Sequence, residues 1–493
     1  IQVLDLFNNL DAVAAALGKW SLKELYVGMR AKFVKNHVQD VINFYTQNRG
    51  KEFADKWYYF DMYTCFENLA KYQELNELAC ECLQRDKFFN QDKYFFNCAI
   101  HSLFIHGYID TAKQLLNQAP SFKNLNPVVK RFIQSRLFNP IYTSTQNIKD
   151  IREEVEDSLG ELTHLDLSLK SNVQDLMTMF RFNNNSNFYL IYQQFNEIDF
   201  NSRYSCLVTR ALQEYLPDRL LCEPDQKVPV DKKIRLGYFS YNFVNLHSGT
   251  IWSLGWIQNH DREKFEIYCY SLNPDYDSTT AEFQQYSDYF RKIDTDWQGA
   301  IETILADNLH ILIFPDIGMG YPSILLSNLR LAPIQCTAWG HPLTSGSSNI
   351  DYYLSGGEIE PENAQEHYVE TLVRLPKLGI CYQKRNLPPL KKSKQDFNLS
   401  VDKVLYLSCQ VACKYLPQYD FIYPRIALEN HNVQFIFIER SLALEGKLLE
   451  RLAREFEKYG LNADDYCVLL PRQSLEDYLM LMMLVDVNLD TIG

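Results

Sequence analysis

Four short stretches of this 493-residue chain combine residue types that do chemistry. The first is Gly237-Tyr238-Phe239-Ser240-Tyr241-Asn242-Phe243-Val244-Asn245-Leu246-His247, an apolar run that ends in polar residues and a histidine. A histidine in the first strand-to-helix loop of an open sheet reaches a substrate lying in the cleft, and its near-neutral pKa suits general-base work. Taken alone, a loop histidine is more often structural or solvent-exposed. The second is Asp275-Tyr276-Asp277. It is a D-x-D whose carboxylates could hold a divalent ion against a diphosphate, although a surface acidic loop is the commoner meaning of so short a pattern. The third is Ser408-Cys409-Gln410-Val411-Ala412-Cys413-Lys414-Tyr415-Leu416-Pro417. It puts Gln410 and Lys414 after a strand and ahead of a helix start, where a cation neutralises a departing diphosphate. No G-x-G-x-x-G accompanies it, so it is not a dinucleotide fingerprint. The fourth, Gly340-His341-Pro342-Leu343-Thr344-Ser345-Gly346, is a loop of turn formers and hydroxyls, in which Gly340 lets backbone approach a sugar or phosphate closely. Asp316-Ile317-Gly318-Met319-Gly320 ends a buried strand as a further cleft loop, and Arg330 reads as a helix-end cation.

The elements that position these stretches change character along the chain. Residues 1–215 read as almost entirely helical, with apolar residues at i, i+3, i+4 in Leu22–Gln47, Lys56–Gln84 and Tyr94–Leu116. Gly107, Ala112, Leu116 and Ala119 sit at the offsets of half a tetratricopeptide unit. Pro120 follows directly and no second copy lies upstream, so an irregular bundle fits as well as degenerate repeats. The run of asparagines at 183–185 is a turn, and residues 216–233, with their prolines and mixed charge, are the linker.

From Ile234 strands alternate with helices. Ile234–Ser240, Phe265–Leu272, His310–Pro315, Pro333–Trp339 and Tyr352–Ser355 read as strands, with helical patterns around Thr280–Phe290 and Ala300–Asn308. After the polar Lys391–Asp396 stretch the alternation restarts. Val404–Cys409, Gln434–Glu439, Cys467–Pro471 and Asp486–Asp490 are strands, and Gln418–Glu429 and Ala443–Tyr459 helices. The expected fold is an α + α/β chain: a helical domain (1–215), a first Rossmann-like domain (234–395) and a second (396–493). Open sheets bind ligands at the carboxyl ends of their strands, where all four stretches fall.

Composition excludes several classes. A net charge of −13 argues against nucleic acid, whose phosphates call for clustered Lys and Arg. No apolar run is long enough to span a membrane. The 12 cysteines show neither paired C-x-x-C knuckles nor Cys/His metal spacing, so free thiols in a reducing, cytoplasmic setting are expected.

The run Ala332–Tyr352, APIQ-x-x-x-x-G-x-P-x-TSG-x-x-x-x-DY, resembles the signature segment of the O-GlcNAc transferase / SPINDLY family of glycosyltransferases, in the GHP form of bacterial, cyanobacterial-type members. The resemblance covers roughly Asn187 onward and implies a GT-B architecture of tandem Rossmann-like domains. It implies an inverting, metal-independent enzyme that moves a sugar, most often GlcNAc from UDP-GlcNAc, to protein Ser or Thr, with no cofactor. It also gives the residues roles. His247 acts near the acceptor hydroxyl, Asp275 or Asp277 lies near the acceptor, and Lys414 binds the nucleoside diphosphate beside Gln410. Gly340, His341, Pro342 and Thr344 lie against the donor sugar, mostly through backbone. The family's His-Thr-Thr donor loop belongs after Asp490-Thr491, so the second Rossmann-like domain is read as incomplete at Gly493. Relatives that use GDP-fucose, or UDP-glucose with Asn acceptors, leave donor and acceptor open. The implied partners are a nucleotide sugar, an acceptor protein or peptide, and proteins bound by the helical domain. Two rivals stand beside this reading: a non-catalytic helical adaptor on a degenerate scaffold, and a metal-dependent transferase using Asp275 and Asp277.

Overall fold

The computed structural model describes residues 102–118, 126–182, 186–216, 233–244, 247–273, 275–293, 296–382 and 387–492, with isolated positions between 38 and 100. Of the helices expected over 22–47 and 56–84, residues 38–39, 42–43, 65–66 and 73–78 are described and helical; most of the rest, with the turn at 183–185 and nearly all of the linker, lies outside the described residues. So do Ala119 and Pro120.

From Ile109 the helices are α1 (Ile109–Gln118), α2 (Pro127–Gln134), α3 (Thr145–Thr163), α4 (Lys170–Phe182) and α5 (Ile198–Tyr215). Local sequence sets several starts. The Asn126 side chain accepts from Val128 N–H with Pro127 at the first helical position, and Ser144 caps Asn147 N–H. Apolar faces of α2 to α5 then pack on one another and on the first sheet as one core, from Val129 and Leu159 through Leu212 to Phe239 and Leu312. Each large side chain buried this way contributes about 1.5–3 kcal/mol.

The first sheet has seven parallel strands: β1 (Ile234–Ser240), β2 (Phe265–Ser271), β3 (Tyr289–Lys292), β4 (Ile311–Phe314), β5 (Ile334–Ala338), β6 (Tyr352–Gly356) and β7 (Thr371–Leu375). Their order is β3-β2-β1-β4-β5-β6-β7, so the direction of winding reverses between β1 and β4, where Leu236 pairs with Ile311. Helices α6 (Ile251–Asn259), α7 (Ser278–Tyr286), α8 (Trp297–Ala306) and α9 (Tyr321–Ser327) connect the strands. The second sheet joins β8 (Val404–Ser408), β9 (Val433–Ile438), β10 (Cys467–Leu470) and β11 (Val487–Leu489) in the parallel order β10-β9-β8-β11, reversing between β8 and β11. With it come α10 (Ile422–Glu429), α11 (Leu442–Lys458) and α12 (Leu475–Leu484).

Every strand expected from the sequence is present to within one or two residues. Among the elements not anticipated are β3, β7 and α12. β3 (YFRK) and β7 (TLVRL) are edge strands whose polar residues hide the buried-strand signature, and β3 takes Phe290 out of the helix expected to reach it. α12 (LEDYLMLMML) is too uniformly apolar to show a helical period.

The helical layer also grips the second sheet. Arg451 of α11, almost wholly buried, makes a bidentate pair with Asp420 (2.6 and 2.9 Å) and donates to the carbonyls of Tyr142 and Tyr415. Ile141 enters the core of the second sheet, and Ser441 and Lys447 donate to the carbonyls of His106 and Gly107. Gly107 stands at φ +91°, and a Cβ there would meet Leu444 of α11 at 2.8 Å, so a glycine lets the two regions touch.

Candidate active site

Where strand order reverses, neighbouring loops leave in opposite directions and open a crevice at the carboxyl edge. In the first sheet that crevice is closed by side chains. Asp316, just past β4 and fully buried, accepts from Ser240 Oγ at the end of β1 (2.9 Å) and from Asn242 Nδ2 (2.6 Å), with Ser323 of α9 at 3.5 Å. Burial pushes its carboxyl up to about 6, while hydrogen bonds from Asn242, Ser240 and Ser323 pull it back.

His247 stands in the turn that follows. Thr250 Oγ donates to the Asn242 carbonyl (2.6 Å), and the amides of Thr250 and Ile251 donate to the His247 carbonyl. The helix begins only at Ile251, because this turn comes first. The Gly249 N–H donates to His247 Nδ1 (3.2 Å). An Nδ1 that accepts carries no proton, so the neutral ring bears its hydrogen on Nε2 and offers a donor there. Burial lowers the pKa and favours this neutral form. In this form His247 can orient an oxygen by donating to it from Nε2, and would have to give up the Gly249 bond to act as a base through Nδ1.

The loop after β5 closes over the same edge. A Cβ on Gly340 would lie 2.1 Å from the Gly249 carbonyl oxygen and 2.3 Å from that of Pro315, so this glycine serves the convergence of the chain's own three loops. His341 is buried against Gly318, whose Cβ would lie 2.4 Å from the imidazole Nδ1. The buried Thr344 hydroxyl donates to Glu370 (2.6 Å), and Ser345 donates to the same carboxylate from its amide and its hydroxyl. Thr344 is thus engaged internally, and the exposed residue of the loop is Pro342. Even the polar residues of the signature are structural. The Gln335 amide, fully buried, binds Leu331 N–H and the carbonyls of Leu329 and Asn349. Asp351 takes Arg330 in a bidentate pair, which replaces the helix-end role expected of that arginine.

The D-x-D separates into unlike halves. Asp277 caps α7, accepting from the amide and hydroxyl of Thr280, so its carboxylate is committed to the helix start. Asp275 is exposed, and its charge contributes to raising the phenol pKa of Tyr241 after burial, the larger cause. Among the described residues no group of three or more His, Cys, Asp or Glu is arranged to hold a metal.

At the second sheet's reversal the arrangement is open. Gln410, after β8, donates from Nε2 to Asp490 after β11 (2.8 Å) and accepts from Lys414 Nζ on Oε1 (2.9 Å). Lys414 is half-buried, with its ammonium 5.5 Å from the Tyr192 ring centre. It lies in a 3₁₀ turn (Ala412–Lys414), and α10 starts only at Ile422, so the expected neighbouring helix N-terminus is eight residues away.

His247, Gly340 and His341 thus gather at the edge of the first sheet, and Gln410 with Lys414 at that of the second. Sequence reasoning did not single out Asn242, Glu370, Tyr192 or Asp490 as site residues, and gave Asp316 no role. The available signal was a polar residue just past each strand that flanks a reversal, legible once strand order is known.

Residues 208–403 match the sequence family described as Glycosyl transferase family 41. The chain is 29% identical over 192 residues to the Arabidopsis thaliana "Probable UDP-N-acetylglucosamine--peptide N-acetylglucosaminyltransferase SEC", covering 36% of this chain and 19% of that protein. Over 81 residues it is 43% identical to the "UDP-glucose:protein N-beta-glucosyltransferase" of Actinobacillus pleuropneumoniae serotype 5b, covering 16% of this chain and 13% of the relative. The chain therefore spans a fifth or less of these relatives. It also shares its fold with a mutant O-GlcNAc transferase of Thermobaculum terrenum, at a TM-score of 0.51 and 21% identity over 86% of this chain and 78% of that one.

Proposed function

We propose that this chain, whose residues 208–403 match glycosyl transferase family 41, is a glycosyltransferase of the O-GlcNAc transferase / SPINDLY family that moves a sugar from a nucleoside diphosphate to a protein side chain. The observation that carries the reading is Lys414, a half-buried cation at the second sheet's reversal, steadied by a neutral amide oxygen and an aromatic face. A charge so placed suits a diphosphate that gains negative charge as the glycosidic bond breaks, the task a divalent metal performs elsewhere. The first sheet then presents the acceptor. In a single inverting displacement the acceptor oxygen bonds to the anomeric carbon as the bond from that carbon to the diphosphate breaks on the opposite face, the acceptor's proton passing to the departing diphosphate, with His247 donating from Nε2 to hold the acceptor oxygen. The helical layer serves as the platform for acceptor or partner proteins.

The donor we favour is UDP-GlcNAc with Ser or Thr as acceptor, by analogy with the name of the plant relative. A second reading, glucose to Asn, is supported by the 43% identity of the shorter match to an N-glucosyltransferase.

The test is nucleoside diphosphate release by the natural full-length protein from UDP-GlcNAc, UDP-glucose and GDP-fucose, with acceptor lysate and EDTA, beside Lys414→Ala. Release from one donor, persisting in EDTA and collapsing in the variant, supports the reading and names the sugar. Loss in EDTA restores the metal-dependent rival, and silence with every donor favours a non-catalytic adaptor.

A further inference from the structure

We propose that Asp316 and Asn242 form a positioning pair, one carboxylate and one amide, that holds the acceptor-side turn bearing His247 in its working geometry. The proposal rests on the glycosyltransferase reading. Its ground is the place of the pair. Asp316 and Asn242 meet over the reversal between β1 and β4, where an open sheet would otherwise take a ligand, and they fill it with a 2.6 Å bond to a fully buried oxygen. This crevice is therefore the floor of the site.

From this floor, contacts lead to each candidate loop. The Asn242 carbonyl receives the Thr250 hydroxyl, which pins the far end of the turn containing His247, and Asn242 N–H donates to Ser240 Oγ (2.8 Å). Next to Asp316, the Pro315 carbonyl faces Gly340, and two residues on Gly318 carries His341. A shift of Asp316 thus moves the histidine turn and the glycine loop together. The groups that hydrogen-bond the carboxylate (Ser240, Asn242, Ser323) are neutral, and the titratable residues on the surrounding loops are His247, Asp275 and His341.

The bond needs unlike partners. Asp316→Asn faces one amide with another and loses the charge-assisted bond. Asn242→Asp sets two carboxylates together, which must share a proton or separate. The double swap, Asn242→Asp with Asp316→Asn, restores one carboxylate and one amide in opposite order. A group that merely fills space would gain nothing from the swap.

The experiment measures kcat of donor turnover, Kd for UDP and melting temperature for the full-length wild type, both single variants and the swap. Each single change is expected to lower kcat by about 10–100-fold with Kd for UDP unchanged within about twofold, since Lys414 lies on the other sheet. The swap is expected to recover kcat to within about threefold of wild type. Singles at wild-type kcat, a parallel loss of kcat and UDP affinity, or a swap no better than the worse single each overturn the proposal. A wild type silent with every donor sinks the transferase reading on its own. The melting temperatures then decide the pair: recovery in the swap supports it and no recovery overturns it.

Discussion

The two sheets solve the same topological problem in opposite ways. At each reversal an amide from the loop after the first strand donates to a carboxylate after the neighbouring strand: Asn242 to Asp316 at 2.6 Å and Gln410 to Asp490 at 2.8 Å. The first pair is sealed, with its carboxylate fully buried and glycine-tight loops locked above it. The second lies at the surface and hands its remaining amide oxygen to a cation. A sealed bridge fixes the shape of loops, whereas an open one leaves charge available to a ligand. On the proposed function, the difference makes the first edge the one that positions and the second the one that binds.

That contrast can be broken at its attachments first. Arg451→Leu would strand the buried Asp420 carboxylate and free the Tyr142 and Tyr415 carbonyls, a loss of about 3–5 kcal/mol. Urea unfolding should show it, with proteolysis loosening the second sheet from the helical layer before the first. If stability is unchanged, the second sheet is not held by this contact. Lys414→Ala should cut diphosphate release by about 100-fold or more, while stability stays within about 0.5 kcal/mol. A variant that loses stability in proportion to activity would make Lys414 structural and erase the contrast.

Thr344→Val tests the sealed side. It deletes the donor to buried Glu370, and the expected cost is about 1–3 kcal/mol with UDP affinity unaltered. Weakened UDP binding at full stability would show that the Thr344 side chain also serves the donor.

The smallest effect is one of pH. Burial, then the charge of Arg262, lowers the His260 pKa from 6.5 to about 4, beside Tyr238. A histidine held neutral by the fold contributes stability that is complete above 6.5 and is lost as the pH falls toward 4. Asp316, raised from 3.8 to about 6, runs the other way: its contribution is present below about 3.8 and lost as the pH rises through 6. Melting temperatures between pH 7 and 4.5 should therefore fall less steeply for His260→Gln than for wild type, and an equal slope would place the imidazole in solvent.

Much of the frame was legible because buried parallel strands are written as short continuous apolar runs. β4 and most of β8 are, β1, β2, β5 and β9 carry only one or two polar residues apart from a terminal serine, and neighbouring loops are marked by glycine, proline and hydroxyl residues. The edge strands β3 and β7 were not, since an edge tolerates Arg, Lys and Thr. Within the site, the polar side chains of the longest readable motif make contacts inside the chain. Gln335 and Asp351 hold backbone amides, Thr344 holds the Glu370 carboxylate, and Gly340 lets the carbonyls of Gly249 and Pro315 come close.

The sequence by itself determined the alternation of strands and helices, the helical character before it, and the presence of Lys414 and His247 in loops after strands. These are matters of period and chain neighbourhood, which local side-chain patterns record. Tertiary structure alone decided that Asn242 meets Asp316 across 74 positions and Gln410 meets Asp490 across 80. It also decided that Asp277 caps a helix while Asp275 stays exposed, and which nitrogen of His247 accepts. The physical reason is strand order: hydrogen bonding between β1 and β4, and between β8 and β11, brings distant loops together, and no local pattern encodes which strands will be neighbours.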